Sequence, residues 1–364
     1  VPSGDRADRV RGAFIGLAIG DAAGWPAVRH RSLVMAPWSR RLRRELDVFA
    51  EEHQVTTLPV PFALNLPVEP LAVGPSDDAE WLAWTALRLA EARDGAAPGR
   101  EADDGGSPAP YRMPGIGGER WLAGYRDLAG RDDLRVRISV RNALDNLGRG
   151  VEPPASGHDN PHFFDDAAAV RAVAFGAGHT DPVAAARADA VITNAEDGVH
   201  GAAAIAAAVA LLAGGATVGE AVDAAVAELP EGGVIRHAVL TALDAARAAG
   251  GAFAAVPALD AALDDHVYSY GVSAAQTVAV ALALTDASRG RLAEAVPAAA
   301  CLPAFADSAP ALTGALTGAA TGYAALPEGW RETARPLLGC GLPDLAGADL
   351  LAIADRLIGG ERSC

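Results

Sequence analysis

The chain has 364 residues, 51% of them apolar and 5% aromatic, and a formal net charge of -16. That length and apolar content bury a large core and exclude a disordered tail. The acidic balance argues against a nucleic-acid surface, because phosphate binding needs clustered Lys and Arg.

Cys301, Cys340 and Cys364 are odd in number and lack metal-ligand spacing, which predicts a reducing interior and no disulfide framework. No basic-then-apolar segment leads the chain, so the expected location is cytoplasmic. The apolar run at 201–214 is too short to span a bilayer and reads as a buried helix, and no membrane partner is expected.

Residues 1 to 8 read as a disordered lead, and 9 to 360 as a single domain. Gly12, Gly16, Gly20 and Gly24 recur every four residues, with Phe14, Ile15, Leu17 and Ile19 between them. On a helix these glycines form one smooth stripe. Each costs about 1 kcal/mol relative to alanine, so the stripe predicts close backbone packing or a ligand near the helix end. The four-residue spacing does not fit a nucleotide-binding glycine loop. Asp21 falls where this helix should stop, where an acid opposes the helix dipole. It is therefore marked, with Gly20, as a candidate substrate contact, while a cap or a solvated acid remains open. The basic patch Arg40-Arg41-Leu42-Arg43-Arg44 reads as a solvated helix face, with anion binding as the alternative.

Gly74-Pro75 breaks the chain before Ser76-Asp77-Asp78-Ala79, and Trp81, Leu82, Trp84, Leu87 and Leu89 follow at helical spacing. Two acids in a first turn complement the dipole, and with the Ser76 hydroxyl they are equally suited to a hard cation. Residues 94–114 and 148–162 are rich in loop formers and read as insertions, with helical patterns from Glu119 to Leu128 and from Leu134 to Leu147. The second insertion carries Asp159 and Asn160, and Phe163, Phe164, Asp165 and Asp166 come directly after it. Aromatic faces beside polar loop groups suit a base or sugar; core phenylalanines followed by a capping acid are the plainer reading.

From Ala167 to Leu284 the chain is a succession of alanine-rich helices separated by short turns, without a fixed repeat. Asp307-Ser308 then precedes a second stripe, Gly314, Gly318 and Gly322. The expected fold is all-α, a compact orthogonal multi-helix bundle. If the two acidic helix starts meet, Ser76, Asp77, Asp78, Asp307 and Ser308 supply oxygen ligands for Mg²⁺ or Mn²⁺.

Gly16-Leu17-Ala18-Ile19-Gly20-Asp21-Ala22-Ala23-Gly24, Ser76-Asp77-Asp78 and Asp307-Ser308 with the stripe from Leu312 to Gly322 occur in that order. Together they resemble the ADP-ribosylglycohydrolases over about residues 9 to 324. The resemblance implies an all-α fold, a paired-magnesium site and a cleft for ADP-ribose, with cleavage at the anomeric carbon of the ribose. It assigns Ser76, Asp77, Asp78, Asp307 and Ser308 to metal. Four positions depart from the family pattern: Phe305 replaces an aspartate of the second metal motif, Ala79 a threonine, Val28 a glutamate and Asn194 a histidine.

The expected function is metal-dependent hydrolysis of an ADP-ribosyl or related ribosyl bond, on a free or protein-linked substrate. Asp77, Asp78 and Asp166 are the catalytic candidates, and Gly20, Asp21, Asp159, Asn160, Phe164 and Asp165 the substrate contacts. A nucleotide-binding protein that keeps the fold without turnover is the alternative, favoured by Val28 and Phe305.

Overall fold

The computed structural model describes residues 3–25, 48, 52, 73–94, 111–264 and 271–359. Val28, the Arg40–Arg44 patch, Cys364 and most of the first insertion, 95–110, lie outside the described residues.

Among the described residues the fold is all-α, with isolated backbone bridges and no named strand. The helices in chain order are α1 (Ser3–Gly24), α2 (Asp77–Asp94), α3 (Gly118–Leu128), α4 (Ile138–Gly148), α5 (Ala155–His158), α6 (Ala167–Gly178), α7 (Pro182–Thr193) and α8 (Asp197–Ala213). They continue as α9 (Val218–Ala227), α10 (Val234–Ala249), α11 (Ala252–Leu263), α12 (Ala274–Ala287), α13 (Leu292–Ala300), α14 (Ala309–Thr321), α15 (Glu328–Ala334) and α16 (Leu350–Gly359). One apolar core runs through them from Val10 to Leu357.

The central contact is α1 against α14, and the glycine stripes make it. Gly12 faces Gly318, Gly16 faces Gly314, Gly20 faces Pro310 and Gly24 faces Ala306, so one number rises as the other falls and the helices run antiparallel. A Cβ on Gly16 would lie 3.0 Å from the Cα of Gly318 and closer still to the carbonyl oxygen of Gly314. The stripe is therefore a backbone contact surface.

α1 starts at Ser3 and so takes in residues 3–8 of the stretch read as a lead. Polar anchoring at other helix ends explains the difference. Arg6 Nη2 donates to the carbonyl of Ala177 at 2.9 Å, Arg9 Nη1 to that of Ala320 at 2.8 Å, and Asp8 accepts the N–H of Ala324 at 3.1 Å. The second insertion holds a helical turn, α5. The helix expected from Leu134 begins at Ile138, because residues up to the N-cap Arg137 are extended, with φ -59° and ψ 158° there.

Candidate functional site

Four helix starts converge at one place, and Arg137 is at its centre. Its Nη2 donates to Asp78 Oδ1 at 2.8 Å and to the Ser308 hydroxyl, its Nη1 donates to Asp166 Oδ1 at 2.6 Å, and Asp307 Oδ2 lies 3.6 Å away. Asp78 belongs to the first turn of α2, Arg137 caps α4, Asp166 caps α6 and Ser308 caps α14. All five side chains are buried. Each helix start carries about half a positive charge, so four of them and one guanidinium favour the acidic groups that Arg137 contacts.

Other side chains fix each of these starts. Asp21, at the end of α1, accepts the backbone N–H of Ser76 at 2.7 Å, the Ser76 hydroxyl at 2.6 Å and the N–H of Ala79 at 3.1 Å. Its position at the wrong end of its own helix is thus explained: it caps α2. Glu80 accepts the N–H groups of Cys340, Gly341 and Leu342 at 2.7, 2.8 and 2.6 Å. That loop lies so tightly on α2 that a Cβ on Gly341 would sit 2.7 Å from the Cβ of Asp77. Burial pushes the Glu80 carboxyl above its ordinary value, opposed by these N–H groups, and burial beside Glu80 and Asp77 pushes the Cys340 thiol up strongly.

Behind Asp166, residues 164–166 pair with 272–274: the Asp166 N–H donates to Val272 at 2.9 Å and the Ala274 N–H to Phe164 at 3.0 Å. Asn194 Nδ2 donates to Asp165 Oδ1 at 2.8 Å and to the carbonyls of Phe163 and Asp165, while its Oδ1 accepts the Thr193 hydroxyl at 2.7 Å. Arg171 continues the chain, donating to Thr193 at 2.7 Å and to Asp189 at 2.7 Å, with Trp121 and Tyr125 on the other Asp189 oxygen.

The Asp166 carboxyl is strongly perturbed. Burial pushes it well up, Asp78 and Asp165 add to this, and Arg137 opposes the rise. The nearby Thr277 hydroxyl is turned onto the Ser273 carbonyl at 3.1 Å, and Asp166 Oδ2 makes no hydrogen bond.

Of the expected site residues, Asp78, Asp166, Asp307 and Ser308 are brought together. Asp77 and Ser76 flank them, with Ser76 engaged by Asp21. Four of the residues expected to contact substrate make contacts within the protein. Gly20 is closed against Pro310, and Asp21 is buried as a cap. Asn160 Nδ2 holds the carbonyls of Ser139 and Thr193 at 2.7 and 3.0 Å, and Asp159 meets Asn146 through its backbone carbonyl at 2.8 Å. Asp165 lies beside the cluster, with Oδ2 making no hydrogen bond. Phe164 is half-buried, edge-on to Phe163 and stacked on His162 at 5.9 Å. It also lines a cavity of about 390 Å³ with His237, Thr241, Leu263, Ser273 and Gln276. This cavity shares no residue with the Arg137 cluster, but Phe164 and Ser273 flank the Asp165 bridge between them.

Sequence reasoning missed Arg137, Glu80 and the pair Arg171–Asp189. One signal was present for Arg137: a cation at a helix start opposes the dipole and needs another reason to be there.

A family model for the ADP-ribosylglycohydrolases matches residues 2–363. The chain belongs to the ADP-ribosylglycohydrolase family. A solved structure titled "ADP-ribosylglycohydrolase-related protein complex" is similar in fold, with a TM-score of 0.58 and 18% identity over 98% of this chain and 99% of that one. No curated protein matches.

ADP-ribosylglycohydrolases generally use divalent metals, and the expected ligand set of this member departs from that pattern. Asp78 and Asp307, two of the three carboxylates assigned to metal, face a guanidinium, and Phe305, expected in place of an acid of the second metal motif, is buried. Among the described residues no three Asp, Glu, His or Cys side chains are grouped to share an ion. As arranged, these residues do not fit the family's metal pair.

Proposed function

We propose that this ADP-ribosylglycohydrolase hydrolyses an ADP-ribosyl or related ribosyl glycosidic bond, with Asp166 handling the proton. The observation that supports it is Asp166 itself: a carboxyl raised chiefly by burial, with one oxygen held by Arg137 and the other without a hydrogen bond. A buried carboxyl pushed towards its protonated form is suited to general-acid work. In the proposed step water adds to the anomeric carbon of the ribose, and the bond to the leaving group breaks with its electron pair. The leaving atom takes the Asp166 proton, and the proton released by the water restores it. Phe164 and Phe163 offer an aromatic face for the base, and no step is routed through a metal.

The test is incubation of the pure protein with ADP-ribosylated arginine, ADP-ribosylated serine and simple nucleosides, followed by chromatography of the products. Release of ADP-ribose or ribose from one of them, reduced about 10²-fold or more by Asp166→Asn, is the expected result. Turnover that survives the substitution undiminished removes Asp166 from the role.

A binding protein without turnover is the second reading, and the engagement of Asp78 and Asp307 by Arg137 favours it. Saturable ADP-ribose binding with no product from any substrate would establish that reading over the first.

A further inference from the structure

We infer that the Arg137 guanidinium is the resident cation of this acidic cluster, replacing the divalent ions of the family, so that fold and site are assembled without metal. The geometry has three parts. Arg137 is contributed by α4, apart from both acidic motifs, yet its two terminal nitrogens reach Asp78, Asp166 and Ser308, with Asp307 close by. A planar guanidinium is always charged and presents several fixed donors, so it suits the space between carboxylates on different helices. The acid missing from the second metal motif is replaced by Phe305, a buried side chain that adds bulk and no oxygen.

Charge supports the same assignment. Four helix starts, each with about half a positive charge, already surround the cluster, and a divalent ion added beside the guanidinium would meet strong repulsion from Arg137. Burial alone disfavours the cationic form of Arg137, but the surrounding Asp166, Asp78, Asp307 and Asp77 hold it protonated. Metal binding and the arginine therefore compete for the same carboxylates. Truncating Arg137 should expose a cation site that the intact protein lacks.

The experiment is Mn²⁺ titration of the full chain by calorimetry and by the electron paramagnetic resonance of free Mn²⁺, with thermal unfolding in Mn²⁺ and in EDTA. Wild type is expected to show no saturable Mn²⁺ binding and the same Tm in both solutions. Arg137→Gln is expected to unfold at a lower temperature, to bind Mn²⁺ saturably, and to recover Tm as Mn²⁺ is added, because a ligand of the folded state alone stabilises it by mass action. Stoichiometric Mn²⁺ binding by wild type, or a wild-type Tm lowered by EDTA, overturns the inference whether or not the variant folds. A folded Arg137→Gln that gains no Mn²⁺ affinity overturns it as well. If that variant does not fold, Asp307→Asn replaces it: its Mn²⁺ response should match that of wild type, and a lower Mn²⁺ affinity than wild type would overturn the inference. None of these readouts depends on turnover, so failure of the hydrolase reading would leave them unchanged.

Discussion

Asp21 Oδ2 accepts the backbone N–H of Ser76 at 2.7 Å, so the last turn of one helix caps the first turn of another. The same carboxylate holds the Ser76 hydroxyl and the Ala79 N–H. Asp21→Ala would leave three buried donors without this partner, each costing about 1–3 kcal/mol. A loss of at least about 3 kcal/mol is expected in urea unfolding with m unchanged. Asn, which keeps one acceptor oxygen, should cost less.

Gly16→Ala should destabilise by about 1–3 kcal/mol or more, because the added methyl meets the backbone of α14 and neither helix can yield sideways. Gly219→Ala is the matched control. That glycine is in α9 with nothing near its Cβ position, so the substitution should stabilise by up to about 1 kcal/mol. Thermal unfolding followed by circular dichroism should show the opposite signs.

The pH dependence of stability should carry the signature of Glu80. Its folded-state value is raised above the ordinary 4.5, chiefly by burial, so the folded state holds the proton more tightly than the unfolded chain. The stability this contributes is complete below 4.5 and is lost as pH rises through the folded value. Wild type compared with the non-titrating Glu80→Gln should thus show its largest advantage in acid, shrinking as pH rises and level beyond the folded value. An advantage that grows with pH over this window would reverse the sign. Urea titrations at several pH values measure it.

Asn194→Ala should cost about 1–3 kcal/mol, since Asp165 Oδ1 and the Thr193 hydroxyl lose a partner in the interior. Asn194→Asp, nearly the same shape, is expected to cost more because it sets a second carboxylate against Asp165. Urea denaturation of the pair separates lost hydrogen bonds from added charge.

The glycine stripes were legible because steric closeness has a regular period: Gly12 to Gly24 and Gly314 to Gly322 announce a surface that tolerates no side chain. The acidic helix starts were legible for a similar reason, since Asp77-Asp78 and Asp307-Ser308 are local patterns. Arg137 was not. Its partners lie 59, 29 and 171 residues away in Asp78, Asp166 and Ser308, and no local pattern encodes that meeting. Gly20, Asp21 and Asn160 were marked by residue type, and each has a role inside the protein that no local pattern shows: one closes a helix contact, one caps a distant helix and one satisfies loop carbonyls. Both Asp21 and Arg137 stand at the helix end that disfavours their charge, and in each case the reason lies on another helix.

The pairing of α1 with α14 sets an order on biosynthesis. Arg9 bonds to a carbonyl 311 residues further along the chain, so the first glycine stripe gains its mate only after α14 has been made. A nascent chain that stops before α14 already contains Asp78, Arg137 and Asp166 but has nothing to press α1 against, so it would present an uncovered apolar helix to chaperones. Vectorial synthesis therefore completes the acidic centre only when α14 brings Asp307 and Ser308 to it.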